Sequence, residues 1–403
     1  MLFNFAQFFR LTWAAMFQAE GTSSQLSPKR WRVLFWWYLL VPVHNLITQV
    51  CFGLDTLLYP AFRQQQVKAP IFIIGNFRSG STLLQRLLAR DSDNLTAMKL
   101  WEIYVAPSLT QRYFWLWVGR MDARWLGGRL AGQLTKINNR LLGKIQMHSV
   151  GLWHEDEDEG VMCQTWDTTF LMFPFAFMAQ MPRYWRFDTD IPRKRQDKIM
   201  RFYKQVLQRH VWFHGGKRYV AKNPAFSVKI EALRRTFPDA QFIYLVRNPI
   251  DTVASKTTFF SYIWHYLGTP AERHPNKDFT LELIGHWYRY PLARLDAMPE
   301  SQRRILPYED LVDDLDGTIR DLYTFLGLDV HSEFEKAIRE TVARQRDYES
   351  ENRYSLADMG YTVAFLREHF ADIFERFPFG ENGRHIDVEP KLESELHLEV
   401  NLD

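Results

Sequence analysis

The chain has 403 residues, 46% of them apolar, which is enough for one large hydrophobic core or for one core with an appended region. Its formal net charge is only +3, so a nucleic-acid partner is not expected. The two cysteines, Cys51 and Cys163, are too few for a disulfide framework or a four-cysteine zinc site. We therefore expect a protein of a reducing compartment, located in the cytoplasm.

The N-terminal segment, residues 1–66, is predicted to be helical and apolar. Residues 33–54 contain no Asp, Glu, Lys or Arg and are long enough to cross a bilayer. Pro42 interrupts this run, His44 places a polar group in it, and the Trp-Trp-Tyr cluster at 36–38 is typical of a membrane interface. Three alternatives remain open: a true span, helices packed on the rest of the protein, and an interfacial membrane contact. We favour the interfacial contact.

Residues 70–83, Pro-Ile-Phe-Ile-Ile-Gly-Asn-Phe-Arg-Ser-Gly-Ser-Thr-Leu, form the most informative stretch. The apolar residues 71–74 predict a buried strand, residues 75–81 a tight turn, and Thr82 the beginning of a helix. At such a junction the backbone N–H groups and the helix dipole favour a bound anion. The stretch therefore predicts a phosphate-binding loop.

The spacing of Gly75, Gly80 and Thr82 is that of the nucleotide P-loop Gly-x-x-x-x-Gly-Lys-[Ser/Thr], but Ser81 stands where the lysine belongs. That lysine contacts the β- and γ-phosphates of ATP or GTP, so its absence argues against an ordinary NTPase or kinase. The cation in this loop is Arg78. We therefore expect a different phosphate-bearing nucleotide.

A second candidate phosphate site follows another predicted strand, at residues 241–246. Arg247 comes directly after that strand, and Ser255 lies about two turns into the next helix. Ligands of α/β proteins bind at the carboxyl ends of the strands. Alone, Arg247 is best explained by a surface salt bridge, but its position relative to a P-loop without lysine favours a phosphate site.

Together these two elements resemble the PAPS-dependent sulfotransferases, in the bacterial and tyrosylprotein branch, where PAPS is 3′-phosphoadenosine 5′-phosphosulfate. The resemblance covers about residues 69–330. It implies that Arg247 and Ser255 hold the 3′-phosphate. It also implies a set of residues around the 5′-phosphosulfate: Arg78, Ser79, Gly80, Ser81, Thr82 and Leu83.

Three further matches extend the resemblance. Ala-Lys-Asn-Pro at residues 221–224 resembles the element whose lysine, here Lys222, reaches the sulfuryl group. Tyr-Glu-Asp-Leu from Tyr308 resembles the segment that places a tyrosine near the nucleotide. Arg353 corresponds to a basic residue that completes the nucleotide pocket, and a plain surface arginine is the alternative.

The resemblance also implies the fold and the domain boundaries. We expect an α/β protein with a P-loop-type parallel sheet flanked by helices, preceded by the apolar helical extension. The sulfotransferase domain is predicted over residues 67–385, with the acceptor or lid region at about 105–215. An acidic tail is predicted over 386–403. PAPS is the expected co-substrate, adenosine 3′,5′-bisphosphate the product, and no metal is required.

Sulfuryl transfer resembles phosphoryl transfer, in which positioning and electrostatic stabilisation do most of the work. The resemblance makes Arg78 and Lys222 the catalytic cations and Glu102 the general base that takes the proton of the acceptor hydroxyl. An ion-paired Glu102 is the alternative, with His148 and His154 next in order. The acidic run at 155–159 predicts a helix N-terminus, and one of its carboxylates could contact a cationic acceptor.

The acceptor is the least constrained part of the prediction. Many aromatic residues between 105 and 215 favour a hydrophobic or lipid-like acceptor reached from a membrane surface, although most of these residues suit an ordinary core. A glycan or protein tyrosine is the alternative acceptor. A nucleotide or small-molecule kinase and a membrane-bound scaffold without activity are the alternatives to a sulfotransferase.

Overall fold

A computed structural model of the protein describes residues 3–141, 151–175, 183–270, 273–346 and 354–380. Its centre is a parallel sheet of five strands in the order β2-β3-β1-β4-β5. The strands are β1 (Ile71–Gly75), β2 (Leu95–Thr96), β3 (Arg218–Lys222), β4 (Gln241–Val246) and β5 (Arg303–Pro307). Each crossover between parallel strands contains at least one helix, as parallel pairing requires.

The described helices are, in chain order, α1 (Phe5–Phe17), α2 (Pro28–Leu58), α3 (Ser81–Leu88), α4 (Leu100–Tyr104), α5 (Leu109–Met121), α6 (Arg129–Leu141), α7 (Met172–Phe175), α8 (Phe187–Asp190), α9 (Arg193–Phe213), α10 (Ile230–Thr236), α11 (Pro249–Tyr266), α12 (Lys277–Asp296), α13 (Tyr308–Asp313), α14 (Leu315–Leu326), α15 (Ser332–Arg346), α16 (Val363–His369) and α17 (Ala371–Arg376). A single π turn, Asp122–Leu126, joins α5 to α6.

Alternate residues of β1 face two different hydrophobic cores. Phe72 and Ile74 belong to the larger core, to which α9 and α12 contribute. Ile71 and Ile73 belong to a second core on the other side of the sheet, which α3 and α14 cover. Because side chains alternate along a strand, this pattern places helices on both faces. The predicted fold class, a P-loop-type parallel sheet flanked by helices, is confirmed.

Strand register brings the predicted site residues to one edge of the sheet. Ile73 of β1 pairs with Lys222, the last residue of β3, and Gly75 pairs with Leu245 of β4. The loop after β1, Lys222 and Arg247 therefore all emerge at the carboxyl ends of neighbouring strands, where ligands of such sheets bind.

The N-terminal helix α2 packs on the domain through a polar stripe. Asp55 is fully buried and accepts hydrogen bonds from Leu109 N (3.0 Å), Thr110 N (2.8 Å) and Arg209 Nε (2.8 Å). Pro42 lies within this helix rather than ending it. Truncating one partner of such a buried charge pair costs about 3–5 kcal/mol, so α2 is fixed to the domain.

The opposite face of α2 is apolar and exposed. Its exposed residues include Phe35, Trp36, Leu46 and Leu57, and α1 adds Trp13. By length and composition alone, α2 could cross a membrane. Both ends of α2 are nevertheless held by the rest of the protein, since Arg30 donates to the carbonyl oxygen of Pro174 and Asp55 accepts from the first residues of α5. The structure therefore shows α2 packed on the domain, and its contact with a membrane stays a prediction.

Candidate active site

Two glycines shape the loop after β1. Gly75 has φ +143°, and a Cβ there would lie 2.3 Å from the carbonyl oxygen of Leu245. Gly80 has φ +79°, and its Cβ would approach the ring of Tyr308 to 3.0 Å. Arg78, between them, is left-handed with φ +65°, which costs a residue with a side chain about 1–3 kcal/mol. The strain is typical of a ligand-binding loop.

The loop leads directly into the first turn of α3. Ser81, Thr82 and Leu83 open this helix, and their N–H groups have no acceptor within it. Ser79 Oγ donates to the carbonyl oxygen of Asn76 over 2.8 Å and so closes the loop on itself. The resulting N-terminus can bind an anion without any lysine side chain.

The two predicted phosphate sites meet in the fold. Arg78 Nε donates to Ser255 Oγ over 3.2 Å, and Ser255 Oγ donates to the hydroxyl of Tyr354 over 2.9 Å. A guanidinium N–H of Arg247 donates to the carbonyl oxygen of Arg78 over 2.5 Å. The same guanidinium lies 4.5 Å from the ring centre of Tyr308. Residues 177 positions apart in sequence therefore form one cluster.

Arg247 retains an unused donor in this cluster. Its side chain is 8% exposed and contacts Asp251 at 3.6 Å. Its Nε is buried and has no hydrogen-bond partner among the described residues. Leaving such a donor unsatisfied costs about 1–3 kcal/mol, a cost that a bound phosphate would remove. Arg353 lies outside the described residues.

Lys222 forms a buried ion pair at the end of β3. Its Nζ lies 2.9 Å from Glu157 Oε1, and the two side chains are 2% and 13% exposed. Burial raises the pKa of Glu157 above its ordinary value, and the charge of Lys222 opposes that shift. A carboxylate with a raised pKa beside a lysine is a good candidate for proton transfer.

Asp158 and Glu159, at the end of the acidic run, are also buried and paired. Asp158 accepts a hydrogen bond from Tyr219 over 2.7 Å, and burial raises its pKa to about 6. Glu159 forms an ion pair with Lys229 in which both side chains are fully buried. The run leads into a 3-10 helix, Asp158–Thr165, so the prediction that it begins a helix is close to the structure.

Glu102 occupies a different cluster, beside the first half of β3. One carboxylate oxygen lies 3.2 Å from Arg112 and 2.9 Å from His214, and the other accepts from Lys99 N over 2.9 Å. Burial alone would raise the pKa of Glu102, but the charge of Arg112 and the hydrogen bond with His214 hold it well below its usual value. Its role as base stays a prediction, and the alternative of an ion-paired Glu102 describes its surroundings.

The ligand atoms of Glu102, His210 and His214 lie within 4.8 Å of one another, as in a metal site. Arg112 already fills this space, because its guanidinium also lies 3.2 Å from His210 Nδ1. A second cation beside a buried guanidinium is unfavourable. Burial lowers the pKa of His210 well below its usual value, so this ring is neutral.

Lys256 is a buried titratable group next to Ser255 that sequence reasoning missed. Its Nζ lies 4.5 Å from the ring centre of Phe77 and 4.1 Å from that of Trp287, and has no hydrogen-bond partner among the described residues. Burial lowers its pKa well below the ordinary value, and the charge of Glu157 opposes this. Position 256 inside α11 gave no sequence signal of this environment.

The aromatic residues between 105 and 215, predicted to favour an apolar acceptor, fall into a buried group and an exposed group. Trp166 and Phe175 are buried against α1, while Phe114, Trp125 and Trp153 are exposed. His154 is exposed, and His148 lies outside the described residues.

Known proteins resemble this chain in sequence and in fold. A model of the sulfotransferase family matches residues 70–332. Two curated relatives, from Mycobacterium bovis and Mycobacterium tuberculosis, are named omega-hydroxy-beta-dihydromenaquinone-9 sulfotransferase Stf3. Each is 29% identical over 322 residues, which is 77% of this chain and 75% of the relative.

Two crystal structures show the same fold. Sulfotransferase STF9 from Mycobacterium avium has a TM-score of 0.67 at 19% identity and covers 95% of this chain and 99% of its own. Sulfotransferase STF1 from Mycobacterium tuberculosis H37Rv has a TM-score of 0.63 at 20% identity, with 91% of each chain covered.

Proposed function

Because the chain belongs to the sulfotransferase family, we propose that it transfers the sulfuryl group of PAPS to a hydroxyl of a hydrophobic, lipid-like acceptor. The observation that carries the donor assignment is the junction of the two phosphate elements, in which Arg78 contacts both Ser255 and Arg247. PAPS carries one phosphate on the 3′ oxygen and one on the 5′ oxygen of its ribose. We call the loop after β1 and the pair Arg247 and Ser255 together the phosphate clamp. Its two anion sites, without the lysine that contacts a γ-phosphate in an NTPase, suit that donor.

The proposed binding roles follow from this clamp. The N–H groups of residues 79–83 and the Thr82 hydroxyl hold the 5′-phosphate, while Arg247 and Ser255 hold the 3′-phosphate. Tyr308, beneath the Arg247 guanidinium, limits where that side chain can move. Arg353 stays a candidate for completing the nucleotide pocket.

In the proposed reaction the acceptor oxygen attacks sulfur and the bond from sulfur to the bridging oxygen breaks, with its electron pair going to the 5′-phosphate. Arg78 and Lys222 stabilise the charge that develops on the sulfonate and on the bridging oxygen. The hydroxyl proton goes to a carboxylate. Glu102 is the base that sequence resemblance implies, and the contact between Glu157 and Lys222 makes Glu157 the stronger candidate.

The acceptor class rests on two independent supports. The relatives named above act, by their names, on a hydroxylated dihydromenaquinone, a hydroxyl on a long apolar molecule. In this chain the exposed apolar face of α2 suits a membrane in which such an acceptor would dissolve. A glycan or a protein tyrosine remains the alternative acceptor.

The donor assignment predicts selective stabilisation by the product nucleotide. Adenosine 3′,5′-bisphosphate should raise the thermal unfolding temperature, whereas Mg-ATP should not, because no loop lysine contacts a γ-phosphate. Arg247→Ala should weaken the bisphosphate's binding by about tenfold to a hundredfold, since it removes a charge-assisted contact of about 1.5–3 kcal/mol. Differential scanning fluorimetry across a ligand titration measures both effects.

Arg304→Ala serves as the matched control. This arginine is on β5 and pairs on the surface with Asp321, so bisphosphate binding should be unchanged. Equal or greater stabilisation by Mg-ATP would contradict the PAPS assignment and would favour the kinase alternative.

A further inference from the structure

Many large apolar side chains of the α5–α6 segment are exposed to solvent. We call residues 109–141 the basic arm. Trp117 and Trp125 on the arm are 51% and 72% exposed. On α6, Leu130, Leu134 and Ile137 are 40–50% exposed and recur at the spacing of one helical face. The arm therefore presents an apolar stripe that the described fold leaves uncovered.

All exposed charged residues of the arm are basic. Asp122 is the sole acidic residue between positions 103 and 141, and it is 3% exposed. Its two carboxylate oxygens accept from Leu130 N (3.0 Å) and Ala131 N (2.9 Å), so its charge serves to cap α6. The exposed charged residues of the arm are Arg120, Arg124, Arg129, Lys136 and Arg140.

Charge and apolarity are arranged on α6 as a bilayer surface requires. With 100° per residue, Arg129, Lys136 and Arg140 lie along one flank, about 100° from the leucine stripe. A helix lying in the interface can bury the stripe among acyl chains while these three side chains reach lipid phosphates. The exposed tryptophans are also typical of the headgroup level.

The arm is fixed to both the N-terminal face and the site. Asp55 of α2 accepts hydrogen bonds from the first residues of α5, so α2 and α5 pack directly against each other. At the other end, Asn138 accepts from Leu152 N over 2.9 Å, and the carbonyl oxygen of Leu152 accepts from Trp101 N over 3.1 Å. The residues from 152 lead directly to Glu157.

We propose that the basic arm is a second membrane-binding element, specific for anionic phospholipid, with α6 lying in the plane of the interface beside α2. The proposal deepens the membrane part of the proposed function and does not depend on sulfuryl transfer. It commits to a lipid surface because the arm combines an uncovered apolar stripe with unopposed positive charge. A protein partner that matched it would have to be both apolar and acidic.

The test uses the full chain and co-sedimentation with vesicles, either neutral phosphatidylcholine or phosphatidylcholine containing phosphatidylglycerol. The wild-type protein should bind the anionic vesicles at least about tenfold more strongly, and added salt should reduce this difference. The triple variant Arg129→Gln, Lys136→Gln, Arg140→Gln should lose most of it, because each basic residue near the surface contributes about fivefold.

The matched control removes three exposed charges from α15, whose buried residues belong to the core on the other face of the sheet. Lys336→Gln, Arg339→Gln, Arg344→Gln should bind anionic vesicles within about twofold of wild type. Adenosine 3′,5′-bisphosphate binding, measured on the same samples, should be equal in all three proteins and shows that each is folded.

Two results would overturn the proposal: equal binding of wild type to neutral and anionic vesicles, or unchanged lipid binding of the arm variant. Trp125→Ser gives a second readout, since it should weaken vesicle binding without changing the size of the protein in lipid-free buffer. A change of oligomeric state instead would make the arm an interface between copies. Arm-dependent lipid binding without turnover would count against the proposed function alone.

Discussion

Lys222→Met should lower kcat about 10²–10³-fold while the affinity for adenosine 3′,5′-bisphosphate changes little. In the proposed reaction Lys222 stabilises charge that develops on the transferring group, and removing one preorganised donor typically has an effect of this size. The bisphosphate lacks the sulfuryl group, so its binding does not need that contact. Steady-state kinetics with PAPS and a bisphosphate titration measure the two quantities.

The variant also leaves Glu157 without its partner, so a stability control is needed. Lys229→Met breaks a second buried lysine–glutamate pair, with Glu159, in the same acidic run. Both variants should unfold at lower temperature, but kcat per folded molecule should fall strongly only for Lys222→Met. Equal effects on kcat would make Lys222 a structural residue.

Glu157→Gln should reduce kcat about 10²–10⁴-fold, the usual contribution of a general base. The wild-type rate should then rise with pH through a pKa above the ordinary 4.5 of a glutamate, because burial raises the pKa of Glu157 and a base must be ionised to act. Nearby charges hold the pKa of Glu102 well below its usual value, so a Glu102 base would show no such rise in that range. The pH dependence of kcat separates the two.

Glu102→Gln is the paired experiment. If Glu102 is the base, as the resemblance predicts, this variant loses turnover with little change in nucleotide binding. If Glu102 instead holds Arg112 and His214 in place, the variant loses thermal stability and keeps the wild-type pH profile. Full activity of Glu157→Gln would show that Glu157 is not the general base.

The strand, turn and helix at residues 71–88 could be predicted because their signals are local. A strand, a turn with glycines at 75 and 80, and a helix N-terminus follow one another along the chain. The order of residue types is therefore enough to predict them. Arg247 and Ser255 carry a second local signal of the same kind. Their contact with Arg78 needed the sheet order, because the strands that precede them are neighbours in space and distant in sequence.

The contacts of Lys222 and Glu102 could not be predicted in the same way. Lys222 and Glu157 are 65 residues apart, and nothing in a run of five acidic residues distinguishes Glu157 from its neighbours. Its pairing depends on how the segment from Leu152 crosses the end of β3. Likewise Glu102 follows α3 at a plausible distance, yet its cationic partners come from α5 and the end of α9.

The aromatic residues of α5 show another limit. An amphipathic helix has the same periodic pattern whether its apolar face meets a core or a membrane. The sequence therefore suggested a pocket lining for residues such as Phe114 and Trp117, and the fold leaves both more than half exposed.

The most direct test of the central claim is sulfuryl transfer by the purified full chain. With PAPS and an ω-hydroxylated dihydromenaquinone in anionic vesicles, we expect adenosine 3′,5′-bisphosphate and a sulfated lipid in equal amounts, as measured by mass spectrometry. In parallel reactions with PAPS, a glycan or a tyrosine peptide replaces the lipid acceptor. In a further reaction, Mg-ATP replaces PAPS. Product from PAPS in the lipid reaction alone is the predicted result; no sulfated product from any acceptor, or phosphorylation by Mg-ATP, would contradict the account.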